Sequence, residues 1–571
     1  MSERRPPALR AALIGLMFGA GAVHLAVVGV LLMVHQRWIV IDTLTLGQAT
    51  LVLIATSAGA MAASRLASVG GAFGRGAAGH LALGAIAGAA CGVPIAALTV
   101  MIVLLPLQSI FIALSPDLLG MLTVGQGPEL GVAILLVGAA LCGLLGAALS
   151  LAPSGLRHTL VPGAVTVLVA GVFQELIQLM LQQYEGVVTD IREFFYTWDG
   201  LSLQGAVALF VIATVLGALF RRAQRRLVLR RGPPDPKRTR LMWAGIALLV
   251  LVLLPAVAGS YIGQVLMLVG LYILMGMGLN LEVGLAGLLD LGFVAFFAVG
   301  AYTTAILTAD SPHALMQLPY WGAMPVAVLM AIGVGVLFGL PVLGIRGDYL
   351  AVATMGLGEI VRVLVMSDFA APLLGGAQGV LQIPKPHIGD FVLGGPVSLF
   401  YLTLVCSAGA AFVAWRLENS RLGRAWMALR DDEDVAQALG INLVRSKLLA
   451  YGLGAAFAGL AGSIFATMLT SVYPSSFQLL ISINVLALII VGGMGSLPGV
   501  VLGSIALIGL PELLREFGEY RYLFYGAALI VMMRLRPEGL WPSEARQREL
   551  HSRDESIALD AGSDAVPAQG D

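Results

Sequence analysis

The chain has 571 residues with 33 basic and 33 acidic side chains, and it is 58% hydrophobic but only 12% charged. A soluble domain carries about 25% charged residues, so this composition and a mean hydropathy of +0.91 exclude an ordinary soluble fold. Apolar side chains on this scale need lipid to face, and zero net charge leaves no electrostatic footprint for nucleic acid. The 71 glycines fit a membrane, where small residues let helices approach closely. Cys91, Cys142 and Cys406 stand alone in apolar runs without CxxC spacing or a histidine cluster, so they read as small buried hydrophobes rather than a disulfide framework or zinc site.

Arg4, Arg5 and Arg10 precede an apolar run that continues to Val34. A signal peptide's apolar region is only about 7–15 residues, so this run reads as a first membrane span with a cytoplasmic N-terminus. Spans need about 20 apolar residues, and six are predicted near 11–34, 44–63, 79–106, 128–151, 160–182 and 203–220. Positive loops should lie inside. Arg65 and Arg75 follow the second span, Arg157 and His158 the fourth, and Arg221, Arg222, Arg225, Arg226, Arg230 and Arg231 the sixth. The loops after the third and fifth carry Asp117, Glu129, Glu185 and Asp190, with Arg37 after the first and Arg192 after the fifth as minor exceptions. Gln174, Glu175 and Gln178 share a face of the fifth span and suggest a polar interior face.

Residues 1–220 thus form an N-terminal membrane extension. Residues 221–240, RRAQRRLVLRRGPPDPKRTR, form a basic cytoplasmic linker in which Pro233, Pro234 and Pro236 stop any helix. It reads as a topology-setting segment, with anionic lipid headgroups as a second partner. Apolar runs then lie near 241–258, 262–281, 285–307, 322–343, 349–366, 398–415, 447–470, 480–493, 497–514 and 521–535. The fold class is an all-α polytopic membrane protein of roughly 14–16 spans. Arg534 and Arg536 place the C-terminus inside as well, and the charged stretch 542–571 is expected to be a disordered tail.

The only lysines, Lys237, Lys385 and Lys447, do not complete a GxxxxGK[ST] phosphate loop, so a transporter of this build borrows an ATPase or uses an ion gradient. No metal-ligand cluster or nucleophile with a paired base supports an enzyme. Asn280 and Glu282 sit beside glycines, and Asp290 lies in an apolar segment. An intramembrane carboxylate defaults to a functional role, although a helix cap at a glycine break explains it equally. Glu359 and Arg362, three apart on one helix face, read as a structural ion pair or a pathway element. Gly492, Gly493, Gly495 and Pro498 interrupt another run, as a hinge or for close packing. The glycine-rich loop Ser367–Pro396 reads as a docking loop outside the membrane or a generic connection. The charged stretch Trp415–Leu449 contains a helical piece, DEDVAQALG, with Gly440 as its stop. It is either a surface for a motor subunit or a solvated loop.

Asp434-Val435-Ala436 and Gly440 resemble the EAA…G pattern of ABC importer permeases, with Asp434 in place of Glu and Val435 in place of Ala. Residues 241–541 more specifically resemble the LivM-type permease of branched-chain amino acid ABC importers. Four stretches carry the resemblance in order: GLNLEVGLAGLLDLGFVAFFAVGAY (Gly278–Tyr302), GIRGDYLAVATMGLGEIVRVL (Gly344–Leu364), ALRDDEDVAQALGINLVRSKLLAYGLGAAFAGLAG (Ala428–Gly462) and VGGMGSLPGVVLGSIALIGLPELLR (Val491–Arg515). The resemblance implies an ABC importer permease fold in this half and import of leucine, isoleucine and valine across the inner membrane. It implies coupling to ATPases through Asp431, Asp434, Ala436, Gly440 and Ile441, a pathway near Asn280, Asp290, Glu359 and Arg362, and hinges at Gly492, Gly493 and Gly495. The chain itself would bind no cofactor; ATP would be used by two separate LivG/LivF-like subunits. A periplasmic binding protein would deliver substrate. A LivH-like second permease would complete the pathway unless residues 1–220 replace it. Alternatives are a permease for urea or short amides, whose relatives carry serine in place of Asp290, and an ion-gradient-driven transporter.

Overall fold

The computed structural model describes residues 6–66, 76–184, 186–230, 236–342, 344–345, 348–518, 520–536 and 538–542. The chain divides into two compact units, Met1–Gly245 and Ile246–Asp571.

In the first unit, α1 (Pro7–Val27), α2 (Leu46–Leu66), α3 (Ala77–Leu104) and α4 (Pro128–Leu151) are long enough to cross a bilayer. Helix α3 packs on the other three. Glycine permits the tightest crossing: a methyl group on Gly143 of α4 would overlap the carbonyl of Gly84 on α3. The fifth apolar run is bent by 73° between its two parts, within α5 (Ser154–Val172) and α6 (Gln174–Leu181). Its glutamines turn to the backbone of the 197–199 turn. Gln174 Nε2 donates to the Asp199 carbonyl and Gln178 Nε2 to that of Thr197, each at 3.3 Å, while Glu175 pairs with Arg37 at 3.4 Å. Helix α7 (Leu203–Arg230) runs on through much of the basic linker, and α8 (Pro236–Ala258) starts on a proline, which the first helical turn tolerates.

The second unit is built around α9 (Ser260–Leu279), α10 (Val294–Thr308) and α16 (Leu443–Leu469). All three are largely apolar and largely buried, as a helix inside a bundle must be, with the charged Arg445 and Lys447 only near the start of α16. A methyl on Gly300 of α10 would overlap Gly459 of α16, so the two backbones touch. Around them lie α11 (Tyr320–Val342), α12 (Asp348–Met366), α13 (Pro396–Glu418), α14 (Arg421–Asp431), α15 (Glu433–Ala438), α17 (Leu479–Gly492), α18 (Leu497–Ser504) and α19 (Tyr520–Leu535). The 367–396 loop is ordered by a short helix, Ala371–Leu374, by a hairpin pairing His387–Ile388 with Phe391–Val392, and by Val380–Leu381 pairing with Ser471–Val472.

Among the described residues, eleven helices are long and apolar enough to cross a membrane, or twelve counting the bent pair, against the expected 14–16. Three of the expected runs form helices shorter than a full crossing, Val294–Thr308, Leu497–Leu513 and the 16-residue α19. The 15 residues of α10 rise about 22 Å at about 1.5 Å each, less than the roughly 30 Å of hydrocarbon. The 542–571 tail lies outside the described residues apart from Pro542.

Candidate functional site

Helix α9 does not stop at Leu279. It widens into a π-helical turn, Asn280–Leu285, a local geometry often found at functional sites. The chain then turns at Gly287, with φ of +73°, and enters α10 only at Val294. Backbone amides freed by this break need partners. Thr354 Oγ1 accepts from the Leu291 amide at 3.0 Å, Asp290 Oδ1 from that of Gly292 at 2.7 Å, and Ser482 Oγ from that of Val294 at 2.9 Å. Asp290 therefore does serve a glycine break. Its Oδ2 is buried, as are both carboxyl oxygens of Glu282 and the Tyr451 hydroxyl, and none of them is met by a backbone group or a basic side chain among the described residues. Glu282 is fully buried, with its carboxyl group facing that of Asp290. It fits only because Gly454 of α16 has no side chain: a methyl there would overlap Glu282 Oε1.

A second break lies beside the first. Helix α17 ends at Gly492, Gly493 and Gly495 take φ of +117° and +76°, and Ser496 caps α18 by accepting from the Gly499 amide at 3.2 Å. Asn280 Oδ1 accepts from the Gly495 amide at 2.9 Å and so joins the two breaks. The Leu540 and Trp541 amides donate to the Val491 and Gly492 carbonyls at 2.8 and 2.9 Å, and Gly492 packs on the Gly499 carbonyl. Close packing and left-handed backbone thus both occur in this glycine run.

The charged stretch forms two capped helices. Ser420 caps α14 through the Leu422 and Gly423 amides at 3.1 and 3.2 Å, and Asp432 caps α15 through those of Asp434 and Val435, both at 2.9 Å. Gly440, at φ of +89°, ends α15, and the Ile441 amide returns to the Ala436 carbonyl at 3.1 Å. The pair is fastened to α16. Buried Trp426 donates to the Ser446 carbonyl at 2.9 Å, and Glu433 pairs with Lys447 at 2.8 Å, the lysine side chain being only 4% exposed. Ala436 faces inward, while Asp434, Val435 and Leu439 are exposed.

Sequence reading missed Arg430. Its Nη1 donates to the Gly284 carbonyl at 2.7 Å, linking α14 to the π-helical turn. Nothing local marks it, because it stands among similar arginines and its partner lies 146 residues away. Glu359 and Arg362 form the expected ion pair, with Arg362 Nε donating at 3.0 Å to both carboxylate oxygens, and both side chains are partly exposed. Glu359 borders a 230 Å³ groove lined by Leu291, Val294, Met355, Phe477 and Leu479. The structure thus sets Asn280 and Asp290 on the same helix break and Glu359 on a groove that Leu291 and Val294 of that break also line. No group of three metal-ligating side chains occurs among the described residues.

Residues 261–533 match the family described as "Branched-chain amino acid transport system / permease component". The chain is 39% identical over 345 residues to the high-affinity branched-chain amino acid transport system permease protein LivM of Escherichia coli (strain K12), covering 52% of this chain and 80% of that protein. The LivM protein of Salmonella typhimurium is 35% identical over 433 residues, or 70% of this chain and 98% of that protein. The chain belongs to the LivM family of permeases. Escherichia coli LivH is a more distant relative of this LivM-family chain, 23% identical over 284 residues that cover 47% of it and 90% of LivH. No solved structure matches. The LivM-family match places both helix breaks and the α14–α15 pair within the shared permease region.

Proposed function

We propose that this chain is the LivM-type half of the membrane pathway of an ATP-driven importer for leucine, isoleucine and valine. The names of its relatives support the substrate class. The observation that carries the mechanism is the α14–α15 pair: two capped helices, fastened to the buried α16, that expose Asp434, Val435 and Leu439. An apolar and acidic knob on a rigid base is a surface on which a separate ATPase can push. The chain is a non-catalytic permease in the inner membrane with both termini cytoplasmic. Two ATPase subunits bind and hydrolyse the ATP, and a periplasmic protein delivers the amino acid.

A separate LivH-like subunit forms the other half. Salmonella typhimurium holds relatives of both names, and its LivM matches more of this chain than the 261–533 permease region. The N-terminal unit is accordingly an accessory bundle. The pathway runs beside the Glu359 groove, because a charge pair partly exposed on a membrane helix must face protein or water rather than lipid.

Uptake of radiolabelled leucine, isoleucine, valine and urea into proteoliposomes holding this chain, a LivH-like subunit and the ATPase pair, with binding protein outside, tests the reading. ATP-dependent uptake of the three amino acids is expected. Uptake of urea alone assigns the amide branch instead.

A further inference from the structure

Arg430 stands one residue before the end of α14, where that helix gives way to α15. Its guanidinium reaches the Gly284 carbonyl in the last turn of the π-helical segment, where the helix runs out of amide donors of its own. A cation here also opposes the negative end of the helix dipole, and a charge-assisted bond of this kind is about twice as strong as a neutral one. The same side chain makes a second contact three residues on. At Gly287, in left-handed backbone, an added methyl group would lie 2.9 Å from Arg430 Cγ and 3.1 Å from its Cβ. Arg430 therefore bonds the turn ahead of Leu285 and fills the space beside it after Ala286.

That turn is joined to the second break. Asn280, at the start of the π-helical segment, holds the Gly495 amide. On the other side, α14 is bound to α16 through Trp426 and Ser446. A shift of α14 thus meets the first helix break through Arg430 and the second through Asn280, by contacts rather than by a flexible loop.

We infer that Arg430 is a positioning residue that carries movement of the α14–α15 pair to the paired helix breaks by way of Gly284 and Gly287. The inference rests on the importer reading and specifies how the coupling surface acts within it. The test uses the assembled transporter in proteoliposomes and measures ATP hydrolysis and leucine uptake together. Arg430→Ala should lower uptake per ATP hydrolysed by about fivefold or more, the scale of an ordinary coupling free energy. The concentration of loaded binding protein giving half-maximal hydrolysis should not change. Arg430→Lys, which keeps a cation able to bond one carbonyl, should recover part of the ratio. Gly287→Ala, which leaves the arginine in place but crowds it, should reproduce the loss. An unchanged ratio, including a proportional fall in both rates as mere loss of folded protein gives, overturns the inference. Failure of the unmodified complex to take up leucine with ATP removes the importer reading beneath it.

Discussion

Asp290 divides its two oxygens between two tasks. Oδ1 satisfies the Gly292 amide, and Oδ2 remains buried opposite Glu282. Asp290→Asn keeps an acceptor for that amide and should leave thermal stability in detergent close to the parent. Asp290→Leu strands a buried donor and should cost about 1–3 kcal/mol, read as a lower unfolding midpoint. If both variants melt alike, the cap assignment is wrong. The sequence marks Asp290 because a carboxylate interrupts an apolar run, but not its partner, the Gly292 amide two residues on. Glu282 is visible beside the glycines as a charge; that Gly454 makes room for it is a fact of packing between helices remote in sequence. Arg430 is illegible for the same reason.

At the scale of the element, α15 was the most readable piece. The helix-stop glycine and the acidic start both occupy the places that capping requires. Gly440→Val puts a β-branched residue at φ of +89° and should unwind the end of α15. Uptake per ATP should fall several-fold while the ATPase subunits still bind; unchanged uptake contradicts the coupling assignment. The Glu433–Lys447 bridge fastens the same helix to α16. Lys447→Met should destabilise the protein by about 1–3 kcal/mol, below the full cost of breaking a buried pair because Glu433 is partly exposed. Adding Glu433→Gln should return part of that loss, and a double-mutant cycle in detergent melts measures the coupling. Strict additivity would show the bridge to be inert. Span length was less readable. A continuous apolar run gives no sign of where a helix stops short, so α10 and the Leu497–Leu513 segment looked like full crossings. Glycine breaks whose amides find partners on neighbouring helices end them early.

For the whole molecule, the membrane class follows from composition, because apolar surface on this scale has no other environment. The six apolar runs of the first unit are recovered as helices, one of them bent, while the roles of residues 1–220 are not written in any local pattern. The proposed accessory role makes a definite prediction. Leucine uptake should require a LivH-like partner, and full uptake without one would mean that the first unit supplies the second half of the pathway. In the proposed importer, ATP hydrolysis on separate subunits drives this permease. This coupling is tested most directly by leucine accumulation in proteoliposomes with the ATPase pair, the second permease and binding protein, with all ion gradients collapsed by ionophores. Accumulation against a gradient that stops when ATP is withdrawn is expected. Accumulation that needs no ATPase subunit and follows an imposed ion gradient would contradict it.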